Sequence, residues 1–126
     1  DLRFQESTEV WANEMKERGH AIYVADLSED AYTPETVPVD RPLSILFGGE
    51  LAGVSEVAHA HADGVVCVPM VGVTQSLNVS VAAAVTLNRV AERRRALPDT
   101  CGIQGQARED FVRRFVEREW ARRKSR

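Results

Sequence analysis

Leu43-Ser44-Ile45-Leu46-Phe47-Gly48-Gly49-Glu50 is the stretch on which the fold turns. It does not alternate polar with apolar. A short apolar run that ends in a turn signal is a strand covered on both faces, the kind that parallel sheets are made of. Two more runs have the same character. Residues 20–27 (HAIYVADL) form one, and residues 64–68 (GVVCV), stopped by Pro69, form the other. Helical patterns alternate with them. Ser7 is placed to cap a helix over residues 7–18, with Gly19 as its stop. Ser55 is placed to cap a short one through Glu56, Val57, Ala58 and Ala60. A longer helix opens at Ser76 and runs to Val90, apolar on nearly every side, so it is expected to be buried. Arg93, Arg94 and Arg95 follow it, well placed for a helix C-terminus. Residues 28–42 contain Pro34, Pro38 and Pro42 and read as a structured loop. This alternation predicts an α/β fold with a mostly parallel sheet covered by helices.

Ligands of such sheets bind beyond the carboxyl ends of the strands. All three strands here end in small or special residues: Ala25-Asp26, Gly48-Gly49-Glu50, and residues 69–72. The candidate site is placed on those three loops.

Composition excludes several classes. At 126 residues and 44% hydrophobic, the chain can bury a core as one domain. Aromatics are only 6%, so that core is mostly Val, Ala and Leu. Cys67 and Cys101 make no disulfide framework, and a reduced, cytoplasmic setting is expected. Cys67 reads as core rather than nucleophile. No apolar run approaches the roughly 20 residues that cross a bilayer, and no leader pattern opens the chain, so no membrane association is expected. His20, His59 and His61 have no ligand spacing with the cysteines, so no metal is expected. Asp26 and Asp63 read as turn caps.

Charge is divided unevenly. Residues 1–91 hold 5 Lys+Arg against 13 Asp+Glu, a net −8, whereas residues 92–126 hold 11 against 6, a net +5. The basic part reads in two ways: a surface for a polyanion or acidic partner, or a solvated arginine-rich helix. The chain divides at about residue 96. Residues 97–126 are a linker followed by an amphipathic helix from about 109 to 124. Phe111, Val112, Phe115, Val116 and Trp120 make its apolar side. That side is expected to dock on a second copy or on the chain's own body, with the arginines left for a polyanion.

Two loops carry candidate chemistry. Gly48, Gly49 and Gly53 surround Glu50. Glycines let backbone approach a ligand, and they also simply make turns. Further on, Ser76, Asn78 and Ser80 stand at the entrance of the apolar helix. Free N–H groups at a helix start accept a ligand or a cap equally well, and a Ser or Asn cap is the plainer explanation.

ILFGGELAG at residues 45–53 resembles the second motif of the SpoU, or TrmH, family of SPOUT RNA methyltransferases. VPMVGVTQSLNVSVAAAV at residues 68–85 resembles the family's third motif, at a fitting distance. Residues 11–40 are similar to the corresponding region of tRNA 2′-O-methyltransferases. The resemblance implies S-adenosyl-L-methionine as methyl donor and the 2′-hydroxyl of an RNA ribose as acceptor, with tRNA slightly preferred over rRNA. It also implies a homodimer and a SPOUT-type fold with a deep C-terminal trefoil knot within residues 1–96. By position in the motifs, Ala25, Gly48, Val68, Met70 and Leu77 would hold the cofactor, largely through backbone groups. Glu50, Ser76 and Asn78 would line the transfer site. Arg93, Arg94 and Arg95 would meet RNA phosphates. Nothing before Trp11 matches the family's earlier motif with an Asn and an Arg. The chain is therefore expected to be the C-terminal part of a longer enzyme, the alternative being a non-catalytic RNA-binding or dimerisation module of the same fold.

Overall fold

A computed structural model describes residues 4–49, 51–73, 76–98 and 105–124. Helix α1 (Thr8–Glu17) starts where the hydroxyl of Ser7 accepts the Val10 N–H at 3.2 Å, and the chain leaves it through Gly19 at φ +76°. Strand β1 (Ala21–Ala25), strand β2 (Leu43–Phe47), helix α2 (Glu56–His61), strand β3 (Gly64–Val66), helix α3 (Val79–Arg95) and helix α4 (Gly105–Lys124) follow.

The sheet is parallel in the order β2-β1-β3, with Ala21 beside Leu43 and Tyr23 beside both Ile45 and Gly64. The central strand β1 is the most apolar, and Ala21 to Val24 are all buried. Its side chains alternate between two layers. Ala21 and Tyr23 pack with Val37, Val39, Val66 and Val90, so the 28–42 loop and the end of α3 cover that face. Ile22 and Val24 face the other way, where α1 and α2 lie against β1 and bury Ala12 and Ala58. Full burial of an aliphatic side chain of this size contributes about 1.5–3 kcal/mol.

The proline loop is ordered by specific bonds. Tyr32 N–H donates to the Val65 carbonyl at 2.8 Å, and Cys67 N–H donates to Tyr32 at 2.8 Å, so the loop extends the sheet beyond β3. The rings of Tyr23 and Tyr32 meet edge to face at 5.8 Å. Gly64 fits beneath them, since a Cβ there would stand 3.2 Å from Tyr32 and 3.3 Å from Tyr23. Arg93 donates to the carbonyls of Pro34 at 3.1 Å and Val37 at 2.6 Å. Arg94 donates to those of Val39 at 3.2 Å and Arg41 at 2.5 Å.

The structure corrects four expectations. Strand β3 ends at Val66 rather than at residue 68, its outer edge making a single parallel bridge with Tyr32. Helix α3 begins at Val79, not Ser76, because Asn78 caps it. Nor is α3 buried all round. Thr86 and Val90 are covered, while Val81, Val85 and Leu87 remain 47%, 39% and 52% exposed. One side of the helix meets the sheet and loop, and nothing in the described chain covers the other. Helix α4 likewise buries no residue; Phe111, Phe115 and Trp120 are exposed, so its apolar side does not dock on the chain's own body. Among the described residues no helix is long and apolar enough to cross a membrane.

Candidate functional site

The carboxyl ends of the three strands and the start of α3 enclose a cleft of about 420 Å³. Every residue that the motifs nominate for holding a cofactor lines it: Ala25 at the end of β1, Gly48 after β2, Val68 and Met70 after β3, and Leu77 before α3. Ser76 and Asn78 line it too. Glu50 lies outside the described residues.

Gly48 is a glycine for a reason internal to the loop. Gly49 and Gly53 exchange backbone hydrogen bonds at 3.0 and 2.9 Å, which folds residues 48–53 back on themselves. A Cβ on Gly48 would collide with the backbone of Gly53 and Val54. Gly53 itself turns at φ +64°, in the left-handed region. The loop is thereby closed, and Gly48, Gly49 and Gly53, which carry no side chain, bring backbone to this wall of the cleft.

Asn78 does the structural work expected of a cap. Its Oδ1 accepts the Ser80 N–H at 2.9 Å, and its carbonyl accepts Ala82 N–H at 2.9 Å. Its Nδ2 amide has no partner among the described residues and is left at the cleft. A carboxamide here can therefore cap the helix with one atom and present a donor with the other.

Sequence reasoning gives several lining residues no role in the site, Thr86, Cys67 and Asp26 among them. Thr86 is a buried polar side chain on the inner side of α3, 2% exposed. Cys67, read as core, is half-buried at the cleft wall, its thiol 3.6 Å from the Val68 carbonyl. Asp26 is expected as a turn cap, but no turn is formed at residues 26–28; its Oδ1 accepts the N–H of the next residue, Leu27, at 2.8 Å. Its Oδ2 also meets His59 Nε2 at 2.9 Å, and the residue lines the cleft. A carboxylate directly after a strand was the signal available.

The three arginines are not gathered at the cleft. They sit at the far end of the 17-residue α3, about 25 Å away at 1.5 Å per residue. Arg93 and Arg94 are half-buried against the proline loop, and Arg95 is exposed. Asp63 accepts Ile22 N–H at 2.8 Å, and His20 Nδ1 lies 2.9 Å from the Ser44 hydroxyl. Among the described residues no three His, Cys, Asp or Glu side chains cluster as metal ligands.

Residues 1–88 match the model of the SpoU rRNA methylase family. A tRNA (guanosine(18)-2′-O)-methyltransferase of Thermus thermophilus is 52% identical over 80 residues, which is 64% of this chain and 41% of that protein. The chain thus spans about two-fifths of the length of the curated relatives it matches. Among solved structures, the TrmH/SpoU tRNA modifying enzyme of Aquifex aeolicus superposes with a TM-score of 0.76 at 26% identity, covering 91% of this chain and 59% of that one. The SpoU methyltransferase AviRb of Streptomyces viridochromogenes, solved with its cofactor AdoMet, superposes at 0.60 and 26% identity over 70% of this chain and 35% of that one.

Proposed function

The chain belongs to the SpoU rRNA methylase family, and from that premise we propose that it forms the cofactor-binding part of an RNA ribose 2′-O-methyltransferase that uses S-adenosylmethionine, with tRNA as the preferred substrate. The observation that carries this reading is the convergence of three strand ends and the α3 start on one cleft. The likeness to a tRNA 2′-O-methyltransferase at 52% identity favours tRNA over rRNA.

The cleft fits the donor on its own terms. Its volume, about 420 Å³, lies within the roughly 300–1,000 Å³ of ordinary small-molecule sites. Val68, Met70 and Leu77 offer an apolar bed for a flat heterocycle. The backbone at Ala25, Gly48 and Val68 offers N–H and C=O groups for its edge. When bound, the cofactor supplies a methyl group already activated on a sulfonium. The protein's tasks are then alignment of the ribose oxygen and relocation of its proton. The Nδ2 of Asn78, unpartnered among the described residues, and the hydroxyl of Ser76 stand at the cleft, where they can orient the reacting groups. The knot expected of the family, the homodimer and the division at residue 96 belong to the same proposal. The exposed Val81 and Val85 of α3, one turn apart, supply an apolar face for a second copy. RNA contact falls to Arg95 and the arginine side of α4, since Arg93 and Arg94 already hold the loop.

The test is methyl transfer by the full-length protein. Given labelled donor and separate pools of total tRNA and rRNA, it is expected to label a ribose in tRNA. Labelling of a base, or of neither pool, overturns the reading.

A further inference from the structure

We propose that Asp26 is the residue that binds the vicinal ribose hydroxyls of the adenosyl cofactor, and that His59 holds it in position. The inference rests on the cleft being an adenosyl site.

Asp26 is the one charged residue among the described residues that line the cleft. It follows β1 directly. Both of its oxygens are oriented, each by one bond. Oδ1 accepts the Leu27 N–H at 2.8 Å, and Oδ2 lies 2.9 Å from His59 Nε2. An ionised carboxylate only accepts, so with Asp26 ionised this bond requires Nε2 of His59 to be its donor. Helix α2 brings that imidazole across from 33 residues along the chain.

A carboxylate offers about four lone-pair positions. Among the described residues two are used, one on each oxygen, which leaves one acceptor on each. A cis-diol presents two adjacent O–H donors and matches that remainder. The apolar bed of Val68, Met70 and Leu77 sits in the same cleft for the base. The side chain of Asp26 is still 38% exposed, so it is open to a ligand from the cleft side. His59 does not line the cleft; it acts through Asp26 and is a positioning residue.

The experiment is calorimetry on the full-length protein with three ligands: S-adenosylhomocysteine, its 2′,3′-dideoxy analogue and 5′-methylthioadenosine. Wild type is expected to prefer the diol over the dideoxy ligand by roughly tenfold, as for hydrogen bonds to a charged acceptor. Asp26→Asn is expected to bring that preference to within about twofold and to weaken methylthioadenosine by the same factor. His59→Ala should lose part of the preference, and His59→Gln, which restores a donor near the Nε2 position, should regain it. An unchanged preference in Asp26→Asn overturns the assignment, leaving the cofactor reading intact. A loss confined to S-adenosylhomocysteine overturns it too, by assigning Asp26 to the amino-acid ammonium. Failure of wild type to bind any of the three ligands overturns both this inference and the proposed function.

Discussion

The two ends of α3 carry polar residues that a sequence presents in much the same way, as helix termini with suitable caps. Their surroundings give them different work. At the N-terminal end, Asn78 and Ser76 face an open cleft walled by backbone. At the C-terminal end, Arg93 and Arg94 face four carbonyls of a proline-rich loop and hold it over the core. One end is free to meet a ligand, whereas the other is committed to the fold. The difference lies in what each end faces rather than in its own residues.

Substitutions at the two ends should therefore separate activity from stability. Asn78→Asp keeps an acceptor for the Ser80 N–H, so the cap persists, but it removes the Nδ2 donor. Methyl transfer by the full-length protein is expected to fall on the order of 100-fold, with the thermal midpoint nearly unchanged. Unchanged turnover would reduce Asn78 to a cap and erase the contrast.

Arg93→Ala should do the reverse. It strips the Pro34 and Val37 carbonyls of a charged donor, at about 2–3 kcal/mol, read as a lower denaturant midpoint. Cofactor affinity measured on the folded variant should stay within about twofold, since Arg93 lies a helix-length from the cleft.

A smaller effect concerns the core beneath that end. Burial pushes the Tyr23 phenol above its ordinary value, Tyr32 and Asp63 add to the rise, and Arg41 opposes it. The folded state thus holds this proton more tightly than the unfolded chain does. Its contribution to stability is complete below about pH 10, the unfolded phenol value, and is lost as pH rises through the folded one. Tyr23→Phe should flatten that alkaline decline in a series of denaturant titrations.

The smallest change in stability is expected at Arg95, the exposed neighbour of the two loop-binding arginines. Arg95→Ala should alter stability by no more than about 0.5 kcal/mol. It should weaken RNA binding a few-fold and lower the salt slope by about one. A large stability loss there would show that the C-terminal end acts as one block.

What the sequence made legible follows from range. The strands were readable because each is a continuous apolar run, and β2 falls on residues 43–47 as expected. The cleft was readable because strand ends in a parallel sheet lie together. The need for glycine at 48 was readable as well, but not its cause, which is the return of Gly53 and Val54. Long-range partners were out of reach. The carbonyls met by Arg93 and Arg94 lie 53 to 59 residues back. The burial of α3 was misjudged because its composition reports how apolar it is, not which side is covered. Val81 and Val90 read alike, yet only Val90 meets the core.

Hydrogen–deuterium exchange on the full-length protein, with and without S-adenosylhomocysteine, tests the central claim most directly. Protection is expected in peptides containing Ala25 and Asp26, Gly48 to Gly53, and Val68 to Asn78, with none along α4. Protection that avoids those three segments, or appears only in the arginine-rich helix, would contradict it.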